Sequence, residues 1–143
     1  DPRWLAECLQ RIGRFGGQHP NSNVLIHSLE VWWSLRFADP ETQLWALYHD
    51  AHEVLSGDIT RPFKNDLNRD REILCDAVLQ EELGIAYFGD DVGMFDKECG
   101  DAEALMWADI AWAVRPDECV DKFVEQVTWL RGVLQEIKER AKT

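Results

Sequence analysis

A chain of 143 residues, 45% of them hydrophobic, is of single-domain size and can bury a core without disulfides or a structural metal. Its formal net charge of −12 disfavours a nucleic-acid duplex or an anionic membrane surface as partner, because phosphates attract basic faces. A small anionic substrate stays open, since it needs only local positive charge from a metal or a few Arg and Lys side chains.

Trp4 to Arg14 carries apolar residues at Trp4, Leu5, Cys8, Leu9 and Ile12, which is helical spacing. Phe15-Gly16-Gly17-Gln18-His19-Pro20-Asn21-Ser22 then breaks the pattern with a dense cluster of turn formers. A second helix is expected from Ser22 or Asn23, either able to cap it, to about Phe37. Val24, His27, Val31 and Leu35 share one stripe of it, so His27 faces inward. A third helix follows Asp39-Pro40 and carries Leu44, Trp45, Leu47, Tyr48, the His49-Asp50 pair and Val54-Leu55 before Gly57 ends it. Asn65 to Leu83 reads as a long helix with Ile73, Leu74, Ala77, Val78 and Leu83 as its apolar stripe and Gly84 as its stop. Acidic, glycine-containing Phe88–Gly100 reads as a loop with at most one short turn. Asp101 to Val114 is again helical, and Pro116 opens a last helix through Phe123, Val127, Leu130, Leu134 and Ile137.

No segment sustains two-residue alternation, and no repeat or linker interrupts residues 1–143. One all-α domain is therefore expected. With no run of ~18 apolar residues and no signal-peptide pattern, neither a membrane span nor a leader is expected. Cys8, Cys75, Cys99 and Cys119 lie far apart with no Cys-x-x-Cys pair, which argues against a thiolate zinc site and fits unpaired thiols in a reducing cytoplasm. Trp32 and Trp33, being adjacent, cannot both face one core, and one of them is expected to meet a partner subunit in a homo-oligomer.

The chemistry concentrates in His49-Asp50-Ala51-His52-Glu53-Val54-Leu55-Ser56-Gly57-Asp58-Ile59-Thr60-Arg61-Pro62-Phe63-Lys64. On a helix, His49 and Asp50 point about 100° apart and can converge on one cation, while Glu53, four residues on, sits beside it. Asp109 has Leu105, Met106, Trp112 and Ala113 as helical neighbours, so its carboxylate points into the core and must be paired, protonated or cation-bound there. With His27 it would complete two imidazoles and two carboxylates from three helices, a set suited to Mn, Fe, Co, Ni, Zn or Mg. Taken singly, an inward His is more often a hydrogen-bonded core residue, and Asp109 could equally pair with Arg or cap a backbone. Jointly, in the order His, His-Asp, Asp, they favour a metal. His52 and His19 are left outside that set, His52 as a supporting or surface residue.

The tract Tyr48-His49-Asp50-Ala51-x-Glu53-x-x-x-Gly57-Asp58-Ile59-x-x-Pro62-x-Lys64, flanked by Asn23-Val24-x-x-His27-Ser28-Leu29 and Ala108-Asp109, resembles the HD-domain metal-dependent phosphohydrolases. The resemblance runs from about Arg14 to Ala113 and is closest to bacterial 5′-deoxynucleotidases and to phage and bacterial members that include a dATP triphosphohydrolase. It implies a compact helical bundle of about six helices with His27, His49, Asp50 and Asp109 as ligands of one divalent ion; a second ion carried by the substrate stays an alternative. It makes Glu53 and Asp58 the carboxylates that handle the attacking water and the leaving group. It also places Arg14 on phosphate, Phe15 near the sugar or base, and Lys64 where the phage-type members carry a lysine.

The chain departs from the pattern at Ile26, where a polar residue is common, and at Met106 or Trp107, where a basic one is expected. Independently of the family, a phosphate-ester hydrolase needs a proton for its leaving group, from Glu53 or Asp58, and cations for its equatorial oxygens, from Arg14, Lys64 or Arg61. Arg61 and Lys64 could also be ordinary solvated side chains, and Asp58 a turn residue. The expectation is a deoxynucleoside 5′-phosphate hydrolase that removes triphosphate from a dNTP. A 5′-deoxynucleotidase acting on dNMPs and a catalytically silent nucleotide-binding module are the alternatives.

Overall fold

The computed structural model describes residues 1–14, 22–57, 64–87, 89–105 and 116–143. Seven α-helices run through these residues, and no strand: α1 (Pro2–Gln10), α2 (Val24–Ser34), α3 (Pro40–Tyr48), α4 (Glu53–Ser56), α5 (Asp66–Leu83), α6 (Asp91–Leu105) and α7 (Cys119–Ala141). The all-α architecture is as expected, with six longer helices and α4 as a single turn.

Local chemistry sets most of the boundaries. Asn23 caps α2 by accepting from the Ile26 N–H at 2.9 Å, and Asp39 caps α3 by accepting from Thr42 N at 3.0 Å and Thr42 Oγ1 at 2.9 Å. Asn65 and Asn68 close a reciprocal capping box on α5, which Gly84 ends in the left-handed conformation (φ 68°). That φ suits glycine because it has no Cβ to clash with the following carbonyl.

Helix α2 is the centre of the packing. Every residue from Val24 to Trp32 is buried, with α1, α3, α6 and α7 around it. His27 is therefore inward, as its stripe requires, and 1% exposed. Helix α7 closes the bundle with Phe123, Val127, Leu130 and Leu134, all buried, and Phe123 lies 5.9 Å from Tyr48, ring centre to ring centre. Burying four large side chains, each worth roughly 1.5–3 kcal/mol, holds the end of α3 where His49 follows. Of the adjacent tryptophans, Trp32 is buried, whereas Trp33 is partly exposed beneath the Arg36 guanidinium, 4.2 Å from its ring centre.

Three expectations are corrected. The loop expected over 88–100 gives way to helix from Asp91, where α6 begins, because Val92, Phe95 and Cys99 form an inward face at helical spacing that outweighs the acidity and the two glycines of α6. The third helix does not run unbroken to Gly57. It stops at Tyr48, and i to i−3 bonds tighten the next residues, Ala51 N to Tyr48 O (2.9 Å) and Glu53 N to Asp50 O (3.0 Å). The turn brings donor atoms of Asp50, His52 and Glu53 within 4.8 Å of one another.

Third, the apolar stripe of α5 does not bury. Ile73, Leu74 and Val78 are exposed, while Asn68, Glu72, Asp76 and Gln80, four residues apart, lie on the half-buried face with Leu79 and Leu83. The helix is held by this mixed face and by Lys138, whose Nζ donates to Gly84 O at 2.8 Å.

Candidate metal centre

Two helices and the turn after α3 bring four donors together. The N-terminal half of α2 presents His27, the turn presents His49 and Asp50, and α6 presents Asp96. His27 Nε2 lies 2.5 Å from Asp96 Oδ1 and 3.6 Å from Asp50 Oδ2. His49 Nε2 lies 3.1 Å from each of the same two oxygens. One ligand atom from each of the four residues falls within 4.8 Å of all the others. Adjacent donors around an ion with bonds of about 2.1 Å are spaced about 3.0–3.4 Å apart, so the set fits a divalent cation with little rearrangement.

The imidazoles are oriented for this. His49 Nδ1 donates to Ala46 O at 2.6 Å, which leaves Nε2 as the nitrogen turned to the carboxylates. Burial works to lower the His49 pKa, but Asp50 and then Asp96 outweigh it, and the ring stands well above the usual histidine value. Burial carries His27 the other way, offset only in part by the hydrogen bond to Asp96 and assisted by the Arg14 charge. Burial would raise Asp50, yet the charge and hydrogen bond of His49 hold it at about 2. Asp96 is likewise held well below the carboxylate range by its hydrogen bonds to His27 and His49, against burial. A proton on His49 and a divalent ion are thus alternative ways of neutralising the two carboxylates.

Two further expected residues stand beside the cluster. Glu53 is buried one helical turn on from His49. Lys64 is half-buried and pairs with Glu72 at 2.8 Å. Burial opposes its charge, but Glu72, Glu53 and Asp50 raise its pKa. His49, Asp50, Asp96 and Lys64 line an open cleft of about 460 Å³ that reaches Tyr87, Gly89 and Gly93. Arg14 is half-buried, and a Cβ built on Gly100 of α6 would come 3.7 Å from its guanidinium, which places it one turn along α6 from Asp96. Phe15, Asp58, Arg61 and Asp109 lie outside the described residues.

Asp96 is the site residue that sequence reasoning missed. Its neighbours Val92 and Cys99 are apolar at −4 and +3, two of the four positions that mark Asp109 as inward in the sequence, while Gly93 and Gly100 occupy the other two. Reading residues 88–100 as a loop hid it. Glu72 and Asp76 were missed because α5 shows its apolar side to solvent.

The described helices include none long and apolar enough to cross a membrane. None of the four cysteines forms a disulfide; Cys119 is buried and the others are half-buried. A comparison with family models, curated proteins and solved structures finds no match.

Proposed function

We propose that the protein is a metal-dependent phosphohydrolase of deoxynucleoside 5′-phosphates, acting on dNTPs in preference to dNMPs. The observation that carries the reading is the convergence of His27 with His49, Asp50 and Asp96, the last three of which line an open cleft that also holds a lysine. A volume of about 460 Å³ is within the range of small-molecule sites. The extended tract around His49-Asp50 and its likeness to HD-domain phosphohydrolases support the same reading, and the lysine at Lys64 supports the phage-type, triphosphate-releasing activity.

A divalent ion on these four donors would make water nucleophilic near neutral pH and polarise a phosphoryl oxygen. The chain's own groups do the rest. Glu53, buried beside the donors, would accept a proton from water and return it to the leaving oxygen. Lys64, its ammonium stabilised by Glu72, Glu53 and Asp50, attracts the phosphate into a cleft that also holds Asp50, Glu72, Asp76 and Asp96. His49 and His27 serve as neutral donors whose orientation is fixed by Ala46 O and by packing inside α2.

Release of phosphate species from dNTPs and dNMPs, followed by malachite green and chromatography with Mn, Co or Mg, tests the reading. Triphosphate from dNTPs supports it as stated, and orthophosphate from dNMPs moves it to the 5′-deoxynucleotidase. Absence of turnover in protein of verified metal content refutes it.

A further inference from the structure

We infer that the end of the cleft formed by Gln80, Tyr87 and Gly93 receives the base of the nucleotide, and that it favours the carbonyl-bearing bases guanine and thymine over adenine and cytosine. The inference rests on the phosphohydrolase reading and names the part of the substrate that the reading leaves open.

The cleft changes character along two helices. On α5, Glu72, Asp76 and Gln80 line it at four-residue steps, so its wall passes from carboxylates to a carboxamide over ~12 Å. On α6, Gly93 stands one turn before Asp96, ~4.5 Å along the helix axis. A ligand whose phosphate meets His49, Asp50 and Asp96 can therefore extend its other end to Gln80, Tyr87 and Gly93, which line the same cleft.

Gln80 sets the preference. It is half-buried, and its Oε1 accepts from the Tyr87 N–H at 3.4 Å, which fixes the carboxamide and leaves its two N–H donors as what it offers a ligand. Among the described residues its side chain makes no other hydrogen bond. A pair of donors suits O6 of guanine or O4 of thymine. At the same positions adenine and cytosine carry amino groups, which would meet Gln80 donor to donor.

Tyr87 and two glycines supply a surface and a space. The Tyr87 hydroxyl accepts from the Val92 N–H at 3.0 Å, which ties the ring to the start of α6. A Cβ built on Gly89 would press on that ring, 3.2 Å from the hydroxyl oxygen, so glycine there lets the ring keep its place. At Gly93 the opposite holds. A Cβ meets nothing within 4 Å, so the first turn of α6 carries a poor helix former where a side chain would fit. Glycine at that position keeps the cleft open for a flat ring, and an aromatic side chain such as Tyr87 is a favourable partner for one.

Two measurements on Mn²⁺-loaded protein test this: turnover of the four dNTPs, and calorimetric binding of the matching deoxynucleoside 5′-methylenephosphonates, which keep the base and cannot be cleaved at the 5′ oxygen. The wild type should favour guanine and thymine by roughly 10-fold in both kcat/KM and affinity. Gln80→Glu keeps an acceptor for the Tyr87 N–H and replaces the donors with an acceptor, so the preference should pass to adenine and cytosine. Gly93→Leu places a better helix former in open space, and so decides the matter if Gln80→Glu does not fold. It should weaken all four nucleotide analogues by about 10-fold or more and leave binding of inorganic triphosphate within about twofold. Selective binding of the analogues without turnover of any dNTP refutes the hydrolase reading and upholds the base site. Turnover without the stated preference, a preference unchanged in Gln80→Glu, or analogue affinity unchanged in Gly93→Leu overturns the base site, and binding of no analogue at all overturns both.

Discussion

Replacing Asp96 with Ala is the sharpest test of the centre, because this carboxylate ties α6 to both imidazoles. In metal-free protein, Asp96→Ala removes the partner of His27 Nε2 at 2.5 Å and of His49 Nε2 at 3.1 Å. A hydrogen bond to a charged group is worth about 1.5–3 kcal/mol, and leaving a buried donor unpaired costs a similar amount. Asp96 is 32% exposed, so the low end applies to each bond, and His49 keeps Asp50 at 3.1 Å as a second partner. The expected loss is about 2 kcal/mol, read as a urea midpoint lower by about 1 M. For the ion the loss is larger. Groups that merely support a ligand cost about 10–100-fold in metal affinity, so a direct donor should cost more than ~100-fold, or about 2.7 kcal/mol, measured by Mn²⁺ or Zn²⁺ calorimetry. Asp109→Ala is the companion, since the sequence spacing of its apolar neighbours predicts an inward carboxylate there as well. Affinity unchanged within about threefold in Asp96→Ala, with loss in Asp109→Ala, would show that α6 does not supply the fourth donor and would refute the centre as described.

Glu53→Gln should retain the ion held by His27 and His49 while turnover falls by roughly 10²–10⁴-fold, because Glu53 stands beside those donors rather than among them; loss of that ion by elemental analysis would contradict its role. Gly84→Ala should cost about 1–2 kcal/mol and lower the melting temperature by roughly 3–6 °C. At φ 68° a side chain is strained, and its Cβ would meet Lys138 Nζ at 2.5 Å, displacing the bond from Lys138 to Gly84 O. With metal chelated, Asp50 should leave a signature in acid. Its folded pKa of about 2 lies below the ordinary value of 3.8, so its contribution is complete above pH ~4 and lost as pH falls toward 2, amounting to about 2 kcal/mol. Urea midpoints of wild type and Asp50→Asn should therefore converge across that window, and parallel profiles would contradict the pairing with His49.

How far the site could be read from the sequence follows from the range of the forces involved. Asn23, Asp39, Asn65 and Gly84 mark helix ends through bonds spanning a few residues, and these boundaries were legible. So was His27, because the stripe of α2 is dominated by apolar residues whichever neighbour it meets. Helix α5 was half legible: its ends are local, but which of its two faces meets the bundle is decided by His52, 20 residues before Glu72 in the chain. Asp96 sits between these cases. The apolar set Val92, Phe95 and Cys99 is a local signal, yet Gly93, Gly100 and the surrounding acids weigh against a helix, and only packing against α2 and α3 tips the balance.

The two misreadings have one physical cause. A carboxylate counts as a solvent-facing residue in any hydrophobic pattern, so a helix that turns Asp96, or Glu72 and Asp76, inward reads as weak or inverted. Turning it inward is costly unless a cation, an imidazole or an ammonium meets it, and in this fold each of those three carboxylates does meet a histidine or a lysine. The acidic composition is thus not only a solvated surface. Part of it is gathered by α5 and α6 around His27, His49 and His52, where protons on the imidazoles or a divalent ion can offset it.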